Sequence, residues 1–264
     1  MVGDGGLLTR LRDWLAAGPQ PPLRRPRLLS AGPPAEYVLE IAAAVDASPL
    51  VMSTPETTQG AYAAAAELLD REVDAGCDLV LLAAPAAVAE LATAAIAAFT
   101  GEEPVKAVGF DPRLPDREWT ARVVAVRDAL RLVELAADLP GALGALADPA
   151  LAGVTGALEQ AVRRRTPIVL DGLPTLAAAV LLAHYAELDT GLLQIAGADA
   201  RPAATAAHRA LGLRPLLDLG GTDAGVAGAV VLGLLRAAVL LPATPAQDTA
   251  GGTTRDQDRP SEDW

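Results

Sequence analysis

Apolar residues along this chain follow two alternating patterns. Short runs such as Ile168–Leu170 are apolar throughout, while the longer stretches between them repeat apolar residues every three or four positions. The first pattern predicts strands buried on both faces, and the second predicts helices packed on one side. Gly6–Ala17 reads as a first helix, with Leu7, Leu11 and Leu15 on one stripe. A proline-rich connector, Gly18–Pro26, leads to a strand at Arg27–Ser30 that Gly32, Pro33 and Pro34 stop. Glu36–Asp46 reads as a helix, Leu50–Ser53 as a short strand, and Glu56–Ala75 as a helix with Thr54 placed to cap it. The alternation continues with a strand at Asp78–Leu82, a helix at Ala86–Phe99 and a strand at Val105–Val108 ending in Gly109. Asp116–Asp138 is the longest expected helix, started by Pro115. Pro149–Arg165 is helical, Ile168–Leu170 is a strand that runs into Asp171-Gly172, and Leu173–Glu187 is helical again. Strands at Leu192–Ala196 and Leu216–Leu219, with helices at Ala203–Leu211 and Ala224–Leu241, complete the series.

Strands that alternate with helices in this way define an α/β fold, a three-layer Rossmann-like parallel sheet flanked by helices on both faces. Residues 1–241 are expected to form one domain, with helix 6–17 able to belong to a small helical subdomain. Pro242–Trp264 is polar and acidic without an apolar period, so a disordered tail is expected. Parallel sheets bind ligands at the carboxyl ends of their strands. The ends expected here are Ala83–Pro85, Gly109–Asp111, Asp171–Gly172, Ala196–Asp199 and Asp218–Thr222.

Composition narrows the function classes. The chain has 264 residues, 52% of them hydrophobic but only 3% aromatic, so small side chains must build its core through close element packing. A formal charge of −12 argues against nucleic-acid and anionic-membrane partners, which reward basic surfaces. Met1–Leu15 carries Asp4 and Asp13 without a continuous apolar run, and Val226–Leu241 is broken by Arg236, short of the roughly 20 residues a span needs. A cytoplasmic protein is expected. The single cysteine, Cys77, offers neither a disulfide framework nor a thiolate metal site, and no cofactor or metal is called for. Because Ala224–Leu241 is apolar all round, it is expected to need cover from a second chain, as a homodimer or a heterodimer.

Specific strings then point to a family. Pro-Ile-Val-Leu-Asp-Gly at Pro167–Gly172 precedes an alanine-rich helix, and Ala210–Gly220 reads Ala-Leu-Gly-Leu-Arg-Pro-Leu-Leu-Asp-Leu-Gly. In order and spacing these strings resemble the nicotinate-nucleotide:dimethylbenzimidazole phosphoribosyltransferase family of vitamin B12 lower-ligand activation. Fainter similarity covers Leu7–Ala17, the Arg25-Pro-Arg-Leu-Leu string, Glu56–Gly101 and Trp119–Leu130, so it extends over most of Gly6–Leu241. The chain is shorter than the family pattern near Gly32–Glu36, where members carry a histidine-containing turn that helps hold the benzimidazole.

The resemblance implies displacement of nicotinate from nicotinate mononucleotide by a benzimidazole nitrogen. That reaction needs a general base and donors for the 5′-phosphate. Four family features are replaced here. The Gly-x-Gly-Asn-Thr-Thr loop falls on Ala83–Glu90, without glycine or hydroxyl. The Gly-Arg-Gly-Thr-Gly loop falls on Gly109–Arg113, where Pro112 lacks an N–H and Asp111 adds negative charge. The Ser-His-x-Ser-x-Glu segment falls on Gly197–Pro202, and the glutamate base falls on Ala224 with Asp223 as the nearest carboxylate. Arg122 stands where the family has a phosphate-facing lysine, and Asp171, Gly172, Asp218, Gly220 and Gly228 are retained.

Each candidate has two readings. Asp171-Gly172 is either a ligand contact or a turn pair, and Gly109 either a phosphate-loop residue or a plain turn. Arg122 either meets an anion or joins Arg117, Arg127 and Arg131 on a solvated face. Asp223 either replaces the base or sits too far off, since about 1 Å of misplacement can cost ~100-fold in rate. His184 and His208 lie on helices and read as ordinary residues. Three functions follow: a catalytically degenerate partner or regulatory subunit in cobamide assembly, an active transferase rebuilt around Asp111, Arg122 and Asp223, or a small-molecule binder unrelated to B12. Expected ligands are nicotinate mononucleotide or a benzimidazole-type molecule.

Overall fold

The structure, a computed structural model, describes residues 6–17, 23–84 and 89–241. Six strands, β1 (Pro26–Ser30), β2 (Ser48–Val51), β3 (Leu79–Ala83), β4 (Ile168–Asp171), β5 (Leu193–Gly197) and β6 (Pro215–Leu217), form one sheet in the order β2-β1-β3-β4-β5-β6. All five pairings are parallel, with Leu28 opposite Leu81 and Ala83 opposite Asp171 in register.

Strand alternation divides the core between two layers. Leu28, Leu79, Leu81, Ala83 and Val169 pack with α1 (Leu7–Ala16), α2 (Glu36–Ala44) and α11 (Val226–Val239). Leu29, Val80, Leu82, Ile168 and Leu170 pack on the opposite face with α3 (Thr58–Asp74), α4 (Ala89–Thr100), α8 (Pro149–Arg163), α9 (Leu173–Tyr185) and α10 (Pro202–Leu211). Leu28, Leu29, Leu79, Leu81 and Leu82 are all 0% exposed, and burying each contributes roughly 1.5–3 kcal/mol. The small residues set how close the helices come. A Cβ added at Gly156 of α8 would lie 2.2 Å from the Tyr62 carbonyl oxygen of α3, so any larger residue there would push the two helices apart.

Three expectations are corrected. Val105–Val108 is no strand but part of α5 (Pro104–Val108), so Gly109 ends a helix. Pro104 occupies the first helical turn, where its missing N–H costs nothing, and Gly109 adopts φ 72°, a left-handed value that stops the helix. The long helix divides into α6 (Asp116–Glu134) and α7 (Leu139–Leu146), because the Asp138 carboxylate accepts from the Gly141 amide at 2.8 Å and starts a new helix. Thr57, not Thr54, caps α3 through a 3.1 Å bond from the Gly60 amide. Helix α11 finds its cover within the chain, from α1, α2 and the sheet, and the Arg236 side chain donates to the Val45 carbonyl at 3.0 Å. Among the described residues no helix is long and apolar enough to cross a membrane. The expected tail at 242–264, connector residues 18–22 and loop residues 85–88 lie outside the described residues.

Candidate ligand cleft

The strand order reverses between β1 and β3, and a crevice opens beyond the carboxyl ends of strands at such a point. Here it is a cavity of about 600 Å³. Its walls come from Pro33–Ala35 after β1, the Asp171-Gly172 end of β4, residues 197–201 at the end of β5, and Leu219 with residues 221–224 before α11. Pro33, Pro34, Leu176 and Ile195 supply apolar surface, and Ser30, Asp171, Asp199, Arg201, Thr222 and Asp223 supply polar groups.

Asp171 is the best fixed of these. Its Oδ2 accepts from the Gly225 amide at 2.9 Å and from the Gly228 amide at 2.7 Å, so the carboxylate caps the start of α11. Burial pushes its pKa above the ordinary carboxylate range, against the amides of Gly228, Gly225 and Ala227, which favour the anion. The neighbouring glycines permit this approach: a Cβ at Gly228 would stand 3.3 Å from Oδ2, and Gly225 has φ 101°. Gly172, at φ 100°, lies so close to β3 that a Cβ would meet the Ala84 carbonyl at 2.7 Å. The Asp-Gly pair is a structural turn that also lines the cleft.

Asp199 and Arg201 form a local pair after β5. The Asp199 Oδ1 accepts from the Arg201 amide at 2.9 Å and its Nε at 2.8 Å, and a second guanidinium nitrogen meets Oδ2. Burial raises the Asp199 pKa, but the Arg201 bonds outweigh it and leave the carboxyl below the usual range. At the cleft mouth, the Tyr37 hydroxyl of α2 donates to Asp223 Oδ2 at 2.7 Å, which raises the phenol pKa. Ser30 Oγ donates to the Gly32 carbonyl at 2.7 Å and shapes the turn. Asp218 accepts from the Gly220 amide at 3.1 Å; these two sit in the loop before α11 and do not line the cavity.

The remaining candidates gather elsewhere. Asp111 chelates Arg113, accepting from its amide at 3.0 Å and its Nε at 2.9 Å, and these bonds hold the carboxyl down to about 2. The Leu114 amide is also used inside this turn, bonded to the Asp111 carbonyl at 3.0 Å. Gly109 accepts from Trp119 Nε1 at 2.7 Å, and a Cβ on it would strike the Pro202 ring at 2.7 Å. Arg122 lies 3.6 Å from Glu90, on an exposed side of α6. Gly109, Asp111 and Arg122 thus form a neighbouring cluster outside the cavity lining. Sequence reading brought Asp171, Gly172, Asp223 and the Ala196–Asp199 strand end to the cleft, but it singled out neither Asp199 nor Arg201 and missed Tyr37. An Asp-x-Arg string just after a strand was a usable signal for the Asp199–Arg201 pair; Tyr37 had none.

The chain is thus a parallel-sheet α/β protein with a carboxylate-lined crevice at its switch point. A family model described as Phosphoribosyltransferase matches residues 47–251. Nicotinate-nucleotide–dimethylbenzimidazole phosphoribosyltransferase of Mycobacterium avium (strain 104) is 40% identical over 190 residues, covering 70% of this chain and 54% of that protein. The same-named protein of Mycobacterium tuberculosis (strain ATCC 25618 / H37Rv) is 38% identical over 210 residues, covering 78% and 58%. A crystal structure of CobT from Thermus thermophilus shares the fold, with TM-score 0.70, 20% identity, and coverage of 88% of this chain and 95% of that one. The chain belongs to the nicotinate-nucleotide–dimethylbenzimidazole phosphoribosyltransferase family, and its match spans about half the length of the mycobacterial relatives.

Proposed function

We propose that this protein serves cobamide lower-ligand assembly as a family member that holds a benzimidazole-type ligand without transferring it to a mononucleotide, acting as a partner or regulatory subunit. One observation carries this reading: the amides at the start of α11 and the arginine lining the cleft are bonded to the protein's own carboxylates. The α11 amides, the natural anion site at this rim, already hold Asp171 at 2.7 and 2.9 Å. Arg201 is held by Asp199, and the Arg113 amide by Asp111. A 5′-phosphate approaching the α11 start or Arg201 would have to displace one of these internal anions. Transition-state positioning depends on such fixed contacts.

A second reading, an active phosphoribosyltransferase with a rebuilt pocket, is favoured by Asp223, an exposed carboxylate on the cavity wall that would serve as base. Incubating the purified protein with nicotinate mononucleotide and dimethylbenzimidazole separates the two. The expected chromatogram shows no riboside phosphate above the protein-free blank. Product formation that Asp223→Ala abolishes would replace the first reading with the second.

A further inference from the structure

Two sides of the cleft mouth are joined by one hydrogen bond, from the Tyr37 hydroxyl of α2 to Asp223 Oδ2 at 2.7 Å. The two sides differ in how firmly they are held. On the α2 side, Pro33 and Pro34 fix the backbone that lines the cleft, and Val38 and Ala42 are 0% exposed beneath the helix. Tyr37 therefore projects from a fixed element. On the other side, residues 218–223 are exposed throughout. Gly220 and Gly221 take φ 69° and 86°, and a Cβ added to either would meet nothing within 4 Å, so nothing crowds the backbone there. Among the described residues, the Tyr37 bond is the one hydrogen bond that ties 218–223 to α2. Others at this loop are local, from the Gly220 amide to Asp218 and from the Val226 amide to the Asp223 carbonyl.

Thr222 and Asp223 line the cavity, so moving this loop moves part of the wall and widens the mouth. Asp223 also raises the phenol pKa of Tyr37, so the hydroxyl keeps the proton it donates. We propose that the Tyr37–Asp223 bond is a latch. It holds loop 218–223 against α2 across the mouth, and a molecule enters or leaves the cleft when the bond breaks and the loop swings about Gly220 and Gly221. Glycines free of neighbours can absorb the backbone rotation that such gating requires. This inference rests on the reading of the cleft as the ligand site and adds how access to it is controlled. It holds for either function considered above, because it concerns entry and exit rather than the chemistry inside.

Thiol labelling of the full chain tests the latch without any ligand. Ala198 is half-buried in the cleft lining, whereas the native Cys77 is buried with its pKa pushed up to about 11. In Ala198→Cys protein, dipyridyl disulfide therefore reports the introduced thiol. Tyr37→Phe on this background deletes the donor and keeps the ring, and should label about threefold to tenfold faster, the range that loss of one exposed hydrogen bond gives. Asp223→Ala should match it, and combining the two changes should add little, since both remove the same bond. Hydrogen exchange of Tyr37→Phe alone, without the added cysteine, should quicken by a similar factor at the amides of 219–223 and leave the middle of α11 unchanged. Melting temperatures report whether each variant has kept its fold. Labelling of folded Tyr37→Phe protein within about twofold of its parent overturns the latch, as does exchange that quickens across α2 and α11 rather than in the loop. Either result leaves the reading of the cleft standing, because no ligand takes part.

Discussion

Replacing Asp171 by Ala removes the acceptor of two buried amides at the start of α11, those of Gly225 and Gly228. Each donor left unpaired costs about 1–3 kcal/mol, and loss of the cap interaction is contained in that figure. Two effects reduce the sum: the carboxylate no longer has to be buried, and Asp171 lines the cleft, so solvent can reach part of the gap. The net destabilisation is therefore about 2–3 kcal/mol. With a urea m-value of roughly 2–3 kcal/mol/M, the midpoint should fall by about 1 M. Asp171→Asn keeps a carbonyl acceptor without a buried charge, and should lose less than half as much. The sign of the pH dependence is fixed as well. Burial raises the folded-state pKa of Asp171 above its ordinary 3.8, so its favourable share is complete below 3.8 and fades as pH climbs through the folded value. The advantage of wild type over Asp171→Asn should accordingly shrink as pH rises from about 4. Urea unfolding followed by circular dichroism reads all three quantities. A midpoint shift below about 0.3 M for Asp171→Ala, or Asn costing more than Ala, would refute the reasoning.

Other outcomes follow from the same geometry. Gly225→Ala places a Cβ 2.8 Å from Val38 Cγ1 at φ 101°, and should lower the melting temperature by about 4–8 °C, as scanning calorimetry would show. Asp223→Asn removes the carboxylate charge and weakens the hydrogen bond that raise the Tyr37 phenol, so ultraviolet titration should find that tyrosine ionising at lower pH than in wild type. If the protein forms a homodimer, the contact should use α6, where Val124, Leu132 and Leu135 remain 38%, 54% and 82% exposed. Light scattering should then report a monomer for Leu132→Asp combined with Leu135→Asp. A dimer that survives both changes removes α6 from that role.

The central sheet was readable because its strands are buried on both faces, leaving Leu79–Ala83 and Ile168–Leu170 as unbroken apolar runs. Val105–Val108 misled because two valines around Lys106 and Ala107 satisfy strand preference, while the preceding Pro104 starts a helix. At the site, residues positioned by strand ends were legible, and Asp171, Gly172 and Asp223 all reach the cleft. The strand end Ala196–Asp199 was expected at the site, but the Asp199–Arg201 pairing escaped because residue-by-residue comparison with a family pattern does not expose it. The Tyr37–Asp223 bond joins positions 186 residues apart, a contact only the folded chain creates. Asp111 was expected at the cleft through the strand end at Gly109 and Arg122 through the family pattern, and both lie outside the cavity lining.

Amide resonances give the most direct view of whether the α11 start is committed to Asp171. In a two-dimensional nitrogen–proton spectrum of labelled protein, nicotinate mononucleotide should leave the Gly225 and Gly228 signals unmoved. Saturable shifts of these two signals on adding the mononucleotide, larger than those elsewhere, would mean the phosphate displaces the carboxylate and would contradict the account.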